Sequence, residues 1–127
     1  MKKIKHFLGL FFKPILLEIW YNYFIKALFY LRKPKKRKTK YYFSLCAIFK
    51  NEACYFKEWI EYHKMLGVDH MYLYNNFSTD NFKQVLAPYI EANYVSLIDW
   101  PIEMGQISAY EHCYQHYKTD TYWLMFI

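Results

Sequence analysis

Four short apolar runs, separated by three stretches of helical spacing, constrain this chain more than any other feature. "YFSLCAIF" (42–49) is a continuous apolar run bounded by polar residues, the mark of a buried strand. "HMYLY" (70–74), "YVSLID" (94–99, closed by Trp100-Pro101) and residues 122–127, "YWLMFI", are the others. Between the first two, Glu52 to Leu66 carries Phe56, Trp59, Ile60 and His63 at helical spacing, with Lys57, Glu58, Glu61 and Lys64 turned outward. Gly67 stands where a helix C-cap belongs. "NNFSTDN" (75–81) is turn chemistry, and its Ser78, Thr79 and Asp80 are natural N-caps for a helix from Asn81 to Ile90. Gln106 to Tyr117 reads as a third helix. This alternation predicts an α/β domain with a mainly parallel four-stranded sheet and right-handed crossovers. The last run is wholly apolar or aromatic and predicts a strand buried on both faces; left as an open edge it would invite aggregation.

The charge divides the chain in two. Residues 1–40 hold 12 of the 17 Lys and Arg and one acid, Glu18, whereas residues 41–127 hold 5 basic residues against 10 acids. The basic character therefore belongs to an N-terminal arm, 1–40, and residues 41–127 form a mildly acidic domain, a poor nucleic-acid surface. The arm opens like a signal peptide, but its apolar run of six residues is short and no small-residue cleavage site follows. Lys13, Glu18 and Lys26 also cut it into pieces shorter than the roughly 20 apolar residues a membrane span needs. A helix from Pro14 to Arg32 fits better, with Glu18, Asn22 and Lys26 as a narrow polar stripe, followed by the basic run "RKPKKRKTK" (32–40). An amphipathic helix beside a polybasic segment suits an anionic membrane surface, at about 1 kcal/mol per basic residue. Packing on other protein is the alternative, and "PKKRK" also matches a nuclear localisation pattern that arises often by chance.

In parallel sheets of this kind, ligands bind beyond the carboxyl ends of the strands, where the strand order reverses. Those ends carry Lys50-Asn51-Glu52, Asn75-Asn76 and Asp99, polar residues where a nucleotide-type ligand would lie. Asn51 and Glu52 could equally just begin the helix, the acid favoured there by the helix dipole. No GxGxxG and no P-loop occurs, so neither a dinucleotide nor an ATPase-type cradle is indicated.

The ordered series "CAIFKNEACYFKEWIEYHKMLGVDHMYLYNNFSTDN" (46–81), "VLAPYI", "VSLIDWP", "GQISAYEHCYQHY" and "WLMFI" resembles the start of the family 92 glycosyltransferases, relatives of the large family 2. The resemblance covers about residues 42–127 without a break. It implies a GT-A fold (Rossmann-like), here a truncated half of one preceded by the amphipathic helix. It also implies a nucleotide-sugar donor, probably UDP-linked, a glycan or lipid-linked acceptor, inverting transfer, and Mn²⁺ or Mg²⁺. In the family an Asp-x-Asp motif follows the strand matching "WLMFI", and its carboxylates hold the metal on the donor diphosphate. The metal ligands, catalytic base and acceptor site are thus expected beyond Ile127, and this chain alone is expected to be inactive and to bind no cation. Lys50, Asn51 and Glu52 match the family's nucleotide-facing loop. Asn75 matches a position that is often Asp in relatives and contacts the nucleoside; its amide brings no charge, which bears on donor affinity. Asp99 is a candidate for the same site or a loop residue, and Asp80 reads as a helix cap. Gln106 and His112 match recurrent family positions.

Other chemistry is weaker. His112 and His116 have zinc-ligand spacing beside Cys113, but no HExxH glutamate and no third ligand accompany them. Cys46, Cys54 and Cys113 lack CxxC spacing, sit among apolar neighbours and read as small hydrophobes in a reducing compartment. The heavy use of Lys, Tyr, Phe, Ile and Asn points towards an AT-rich bacterial genome, and so to a cytoplasmic protein peripheral on the inner face of the membrane. Two readings stand: the N-terminal piece of a glycosyltransferase, cut by a frameshift, a premature stop or an incomplete gene model, or a non-catalytic membrane-surface or partner-binding protein.

Overall fold

The computed structural model describes residues 38–127. The helix expected from Pro14 to Arg32, and most of the basic run, lie outside them. Seven elements follow in strict alternation: β1 (Tyr41–Phe49), α1 (Ala53–Met65), β2 (His70–Asn75), α2 (Phe82–Glu91), β3 (Val95–Asp99), α3 (Gln106–Tyr117) and β4 (Thr121–Phe126). The strands form one sheet in the order β3-β2-β1-β4, and every pairing is parallel. The expected α/β architecture holds, with boundaries displaced by a residue or so at element ends.

The sheet is covered on both faces, and this is why β1 reads as an unbroken apolar run. Successive side chains alternate between faces. Leu45, Ala47 and Phe49 pack with Met71, Leu73 and Val95 against Phe56 and Ile60 of α1 and Leu86 of α2. Cys46, Tyr72 and Tyr74 point the other way, against Ala109 and Cys113 of α3. The chain therefore steps outward from β1 to β2 to β3 with α1 and α2 on one face. It then crosses back on the other face to place β4 on the far side of β1.

Local chemistry accounts for the ends of the elements. Gly67, at φ +87°, closes α1: its N–H donates to the Lys64 carbonyl and that of Val68 to the His63 carbonyl, satisfying two terminal acceptors. The Asp69 carboxylate accepts from the backbone N–H groups of Tyr42 and Phe43, both at 2.9 Å, and so docks the start of β2 onto β1.

Two expectations are corrected. The cap residue of α2 is Asn81, with no side-chain cap hydrogen bond. Asp80 instead accepts the N–H of Ala53 at 2.8 Å, capping α1, because the folded loops bring it to that helix's positively polarised start. The apolar pattern of β4 fits a strand buried on both faces, but among the described residues it is an edge strand paired only with β1, with Trp123 59 % exposed, as expected of this strand left as an open edge. Cys54 is exposed, whereas Cys46 and Cys113 are fully buried as expected of small hydrophobes.

His70 is a buried polar group at the amino end of the sheet. Its ring stacks on Tyr41, with centroids 4.3 Å apart, and meets Tyr72 edge-on. Nδ1 donates to the Asn93 carbonyl at 3.1 Å, and Nε2 accepts from the Ser96 hydroxyl at 2.9 Å, a pairing that assigns the neutral tautomer. Burial pushes its pKa below the usual value, Lys40 adds to this, and the Asn93 carbonyl and Asp120 oppose it. The unfolded chain then takes up a proton that the folded chain refuses. Stability is accordingly complete above the unfolded-state value near 6.5 and is lost as pH falls through it. Urea unfolding between about pH 7.5 and about pH 5.5 should show a stability slope of at most about 1.4 kcal/mol per pH unit from this group. His112 adds in the same direction, because its pKa is also lowered. The slope should diminish in His70→Gln; equal slopes in the two proteins would contradict the assignment.

Candidate functional site

The order β3-β2-β1-β4 puts the reversal of strand order between β1 and β4, so the crevice for a ligand opens beyond the carboxyl ends of those two strands. Two grooves flank it. One, of about 340 Å³, lies on the α1 face and is lined by Phe49, Glu52, Tyr55, Trp59 and Ile127 among others. The second, of about 460 Å³, lies on the α3 face and is lined by Lys50, Asn76, Met104, Gly105, Gln106 and Ile107, with Ile48 and Phe49 behind.

Of the five expected site residues, Lys50 and Glu52 line these grooves, whereas Asn51, Asn75 and Asp99 sit at the carboxyl ends of the strands outside both linings, and the five differ in how far their side chains are committed. Lys50 is exposed, its ammonium 6.0 Å from the centre of the Phe77 ring. Glu52 is exposed, precedes the first residue of α1 and makes no side-chain cap hydrogen bond. Asn51 is occupied: its side-chain oxygen accepts from the Thr79 N–H at 2.8 Å, and its own N–H donates to the Ser78 hydroxyl at 2.9 Å. Asn75 is occupied at both ends, accepting from the Ser78 N–H at 3.0 Å and donating to the Asp99 carboxylate at 2.9 Å. The parallel register places Asn75 and Asp99 side by side as the last residues of β2 and β3. Three of the five residues therefore stitch the rim together, while Lys50 and Glu52 project from it beside the crevice.

The rim also includes Asn76, which the sequence places at a strand end, and two residues, Trp100 and Gly105, to which the sequence assigns no site role. Asn76 donates from its side-chain amide to the carbonyls of Trp100 and Ile102, both at 2.8 Å, tying the loop after β2 to the loop after β3. Trp100, read only as the end of a strand, donates from its indole to the Gly105 carbonyl and the Ser108 hydroxyl. Gly105 is obligatory there, because a Cβ would sit 2.7 Å from the Ile102 carbonyl oxygen. Asn51, Phe77 and Met104, one in each of the three rim loops, hold left-handed backbone with φ of 58°, 57° and 50°. Strained non-glycine backbone of this sort costs about 1–3 kcal/mol per residue and concentrates at binding sites. The only sequence signal for this part of the rim is the density of Asn, Ser, Thr and Asp over 75–81.

Of the two recurrent family positions, Gln106 lies in the α3-face groove and donates to the Tyr110 hydroxyl at 3.0 Å. His112 sits behind the rim. Its Nδ1 is 2.8 Å from the hydroxyl of the fully buried Tyr74, and its ring stacks on His116 with centroids 3.9 Å apart. Burial, with the neighbouring His116, lowers the His112 pKa; burial pushes the Tyr74 phenol up. His116 donates from Nδ1 to the His112 carbonyl, and Cys113 turns into the sheet. The zinc-like spacing therefore assembles no site: among the described residues no group of three or more His, Cys, Asp or Glu side chains could hold a metal ion. Asp99, the nearest rim carboxylate to Asn75, is spent on that amide.

Comparison with known proteins agrees with the geometry. The sequence model of glycosyltransferase family 92 matches residues 39–127, the whole of the sheet and its helices, and the chain belongs to that family. A family 92 protein of Arabidopsis thaliana is 32 % identical over 96 residues, which is 75 % of this chain and 17 % of the relative. Family 92 proteins of Ricinus communis and of Oryza sativa subsp. japonica are 31 % and 29 % identical, each over 72 % of this chain and 16 % of their own length. The chain thus spans about a sixth of the curated relatives it matches. No solved structure matches. These relatives come from plants, whereas the residue usage pointed towards bacteria.

The Asn75–Asp99 pair gives a direct test of the rim. Asn75→Asp, the residue the resemblance leads one to expect there, would set two carboxylates in contact. It should destabilise the domain by roughly 1–2 kcal/mol near neutral pH, the exposure of Asp99 limiting the cost. Urea unfolding should show recovery on adding Asp99→Asn and on acidification to about pH 4. An additive double mutant would mean that the two side chains are not coupled.

Proposed function

We propose that residues 41–127 are the donor-side part of a glycosyltransferase that moves a sugar from a nucleotide-sugar donor, UDP-linked, to a glycan or lipid-linked acceptor with inversion at the sugar carbon. The supporting observation is a coincidence. The family match at 39–127 covers a parallel sheet whose reversal crevice is bordered by the exposed side chains of Lys50 and Glu52.

In this reading each rim residue has a defined task. Lys50 brings positive charge to the donor phosphates, and Asn51, held by Thr79 and Ser78, fixes the loop that carries it. Asn75 and Asp99 hold each other at the ends of β2 and β3, which fixes the strand ends where the nucleoside would lie. A divalent cation, held by carboxylates outside this segment, would supply the charge that offsets the leaving diphosphate. Inverting transfer also needs a base for the acceptor hydroxyl, and none is assigned among the described residues.

The test is to read the coding frame past codon 127 and to produce both the extended protein and residues 1–127. With Mn²⁺ and a panel of UDP-sugars, the extended protein should release UDP, and calorimetry should show no binding of UDP with Mn²⁺ to residues 1–127. Absence of UDP release from every sugar nucleotide by the extended protein would refute the transferase reading. Tight metal-dependent binding by the short chain would refute the claim that the donor site is incomplete.

The arm supports a second, compatible role. Its net excess of basic residues, 12 against one acid, suits attachment to the inner face of an anionic, bacterial-type cytoplasmic membrane. Co-sedimentation with phosphatidylglycerol vesicles should be strong at low salt and absent with neutral lipid. It should weaken by about tenfold or more when Lys33, Lys35, Lys36, Arg37 and Lys38 are changed to Gln. Equal binding to neutral vesicles would remove the electrostatic basis of the claim.

A further inference from the structure

The two ends of the sheet differ in charge and in surface chemistry. Around the carboxyl end, the loops and helix starts carry Glu52, Asp80, Asp99 and Glu103 against Lys50 and Lys83. At the amino end, Lys38 and Lys40 precede β1, while Lys64 and Lys118 stand where α1 and α3 finish. Of the acids at that end, Asp69 is spent on the N–H groups of Tyr42 and Phe43, leaving Glu91 and Asp120. The amino end also holds an apolar depression of about 540 Å³, lined by Tyr42, Phe43, Leu66, Gly67 and Trp123 among others, with no charged side chain in the lining. Tyr42, Leu66 and Trp123 are 66 %, 60 % and 59 % exposed, and Tyr42 stacks on the exposed ring of Tyr122 with centroids 5.4 Å apart. The basic run 32–40 leads straight into β1 at this same end.

We infer, resting on the reading that the arm attaches to an anionic membrane, that this amino-terminal pole is the face the domain turns to the lipid. Tyr42, Leu66 and Trp123 rest in the interfacial layer of the bilayer, Lys38 and Lys40 meet its phosphates, and the crevice points away from it. Tyrosine and tryptophan favour such an interface, because the ring enters the acyl boundary while the hydroxyl or indole N–H stays hydrated. Lysine adds an apolar stem beside the patch and an ammonium at headgroup level. The lining holds no carboxylate to be desolvated there or repelled by anionic lipid. Attraction to the headgroups fades within a Debye length of about 8–10 Å. β1 is nine residues long, about 30 Å, so the acidic loops at its far end lie beyond that range. An acidic soluble partner would satisfy the lysines alone, and a second copy would bring the same lysines to the contact and be repelled. A bilayer interface answers both the charge and the apolar depression.

The experiment takes residues 1–127 with Cys54→Ser, which leaves only the buried Cys46 and Cys113, and attaches a nitrobenzoxadiazole dye at Leu66→Cys or at Met104→Cys. Met104, in the loop before α3, marks the opposite end; both positions are exposed, so folding should survive, as circular dichroism would report. With phosphatidylglycerol vesicles the dye at 66 should brighten and shift to the blue, the dye at 104 should not respond, and phosphatidylcholine should affect neither. Leu66→Ser combined with Trp123→Ser, which leaves every charge in place, should weaken binding to phosphatidylglycerol about threefold to tenfold. Co-sedimentation without a response at 66 would overturn the docking face and leave the arm's attachment standing. A response at 104, alone or together with 66, would overturn the orientation. Failure to co-sediment would remove the arm's attachment and this face together. A blue shift at 66 that grows with protein concentration in the absence of lipid would overturn the proposal in favour of contact between copies of the chain.

Discussion

β1 is paired on both edges and buried on both faces. Leu45 and Cys46, adjacent in sequence, are each completely inaccessible on opposite sides of the sheet. A strand in that position requires a helical layer above and another below, and it requires parallel neighbours reached by helical crossovers. The two cores, one with α1 and α2 and the other with α3, both grow from this strand. The reversal of strand order that defines the crevice is likewise a property of its two neighbours, β2 and β4.

Beyond the carboxyl ends the problem changes from burying side chains to holding three loops in place. Polar side chains do this: Asn51 to Ser78 and Thr79, Asp80 to α1, Asn75 to Asp99, and Asn76 to the loop after β3. A rim held by short hydrogen bonds is preorganised, so a ligand need not order the loops on arrival. Lys50 and Glu52 are exposed beside the crevice, the Lys50 ammonium over the Phe77 ring.

Much of this was legible in the residues. Alternation between apolar runs and helical spacing predicted each element of the described residues and the parallel sheet, and Gly67 was recognisable as a helix stop because α1 needs left-handed backbone there. The ordered segments pointed to family 92, and the family match over 39–127 agrees. Asp80 shows where such reading fails. As a cap residue it was correctly typed, yet the helix it caps is 27 positions away rather than the next one. The commitment of Asn75 to Asp99 depends on strand register, and the exposure of β4 depends on its pairing, among the described residues, with β1 alone.

The sequence by itself determined the class of fold, the order of its elements and the family, because hydrophobic period and turn chemistry are local properties written along the chain. Tertiary structure alone decided which polar residues are spent on the rim, and that Tyr55, Tyr62 and Met65 of α1 lie exposed among the described residues. Those outcomes depend on distances between residues some 25 or more positions apart, set by the register of strands and the packing of helices, and no local pattern encodes them.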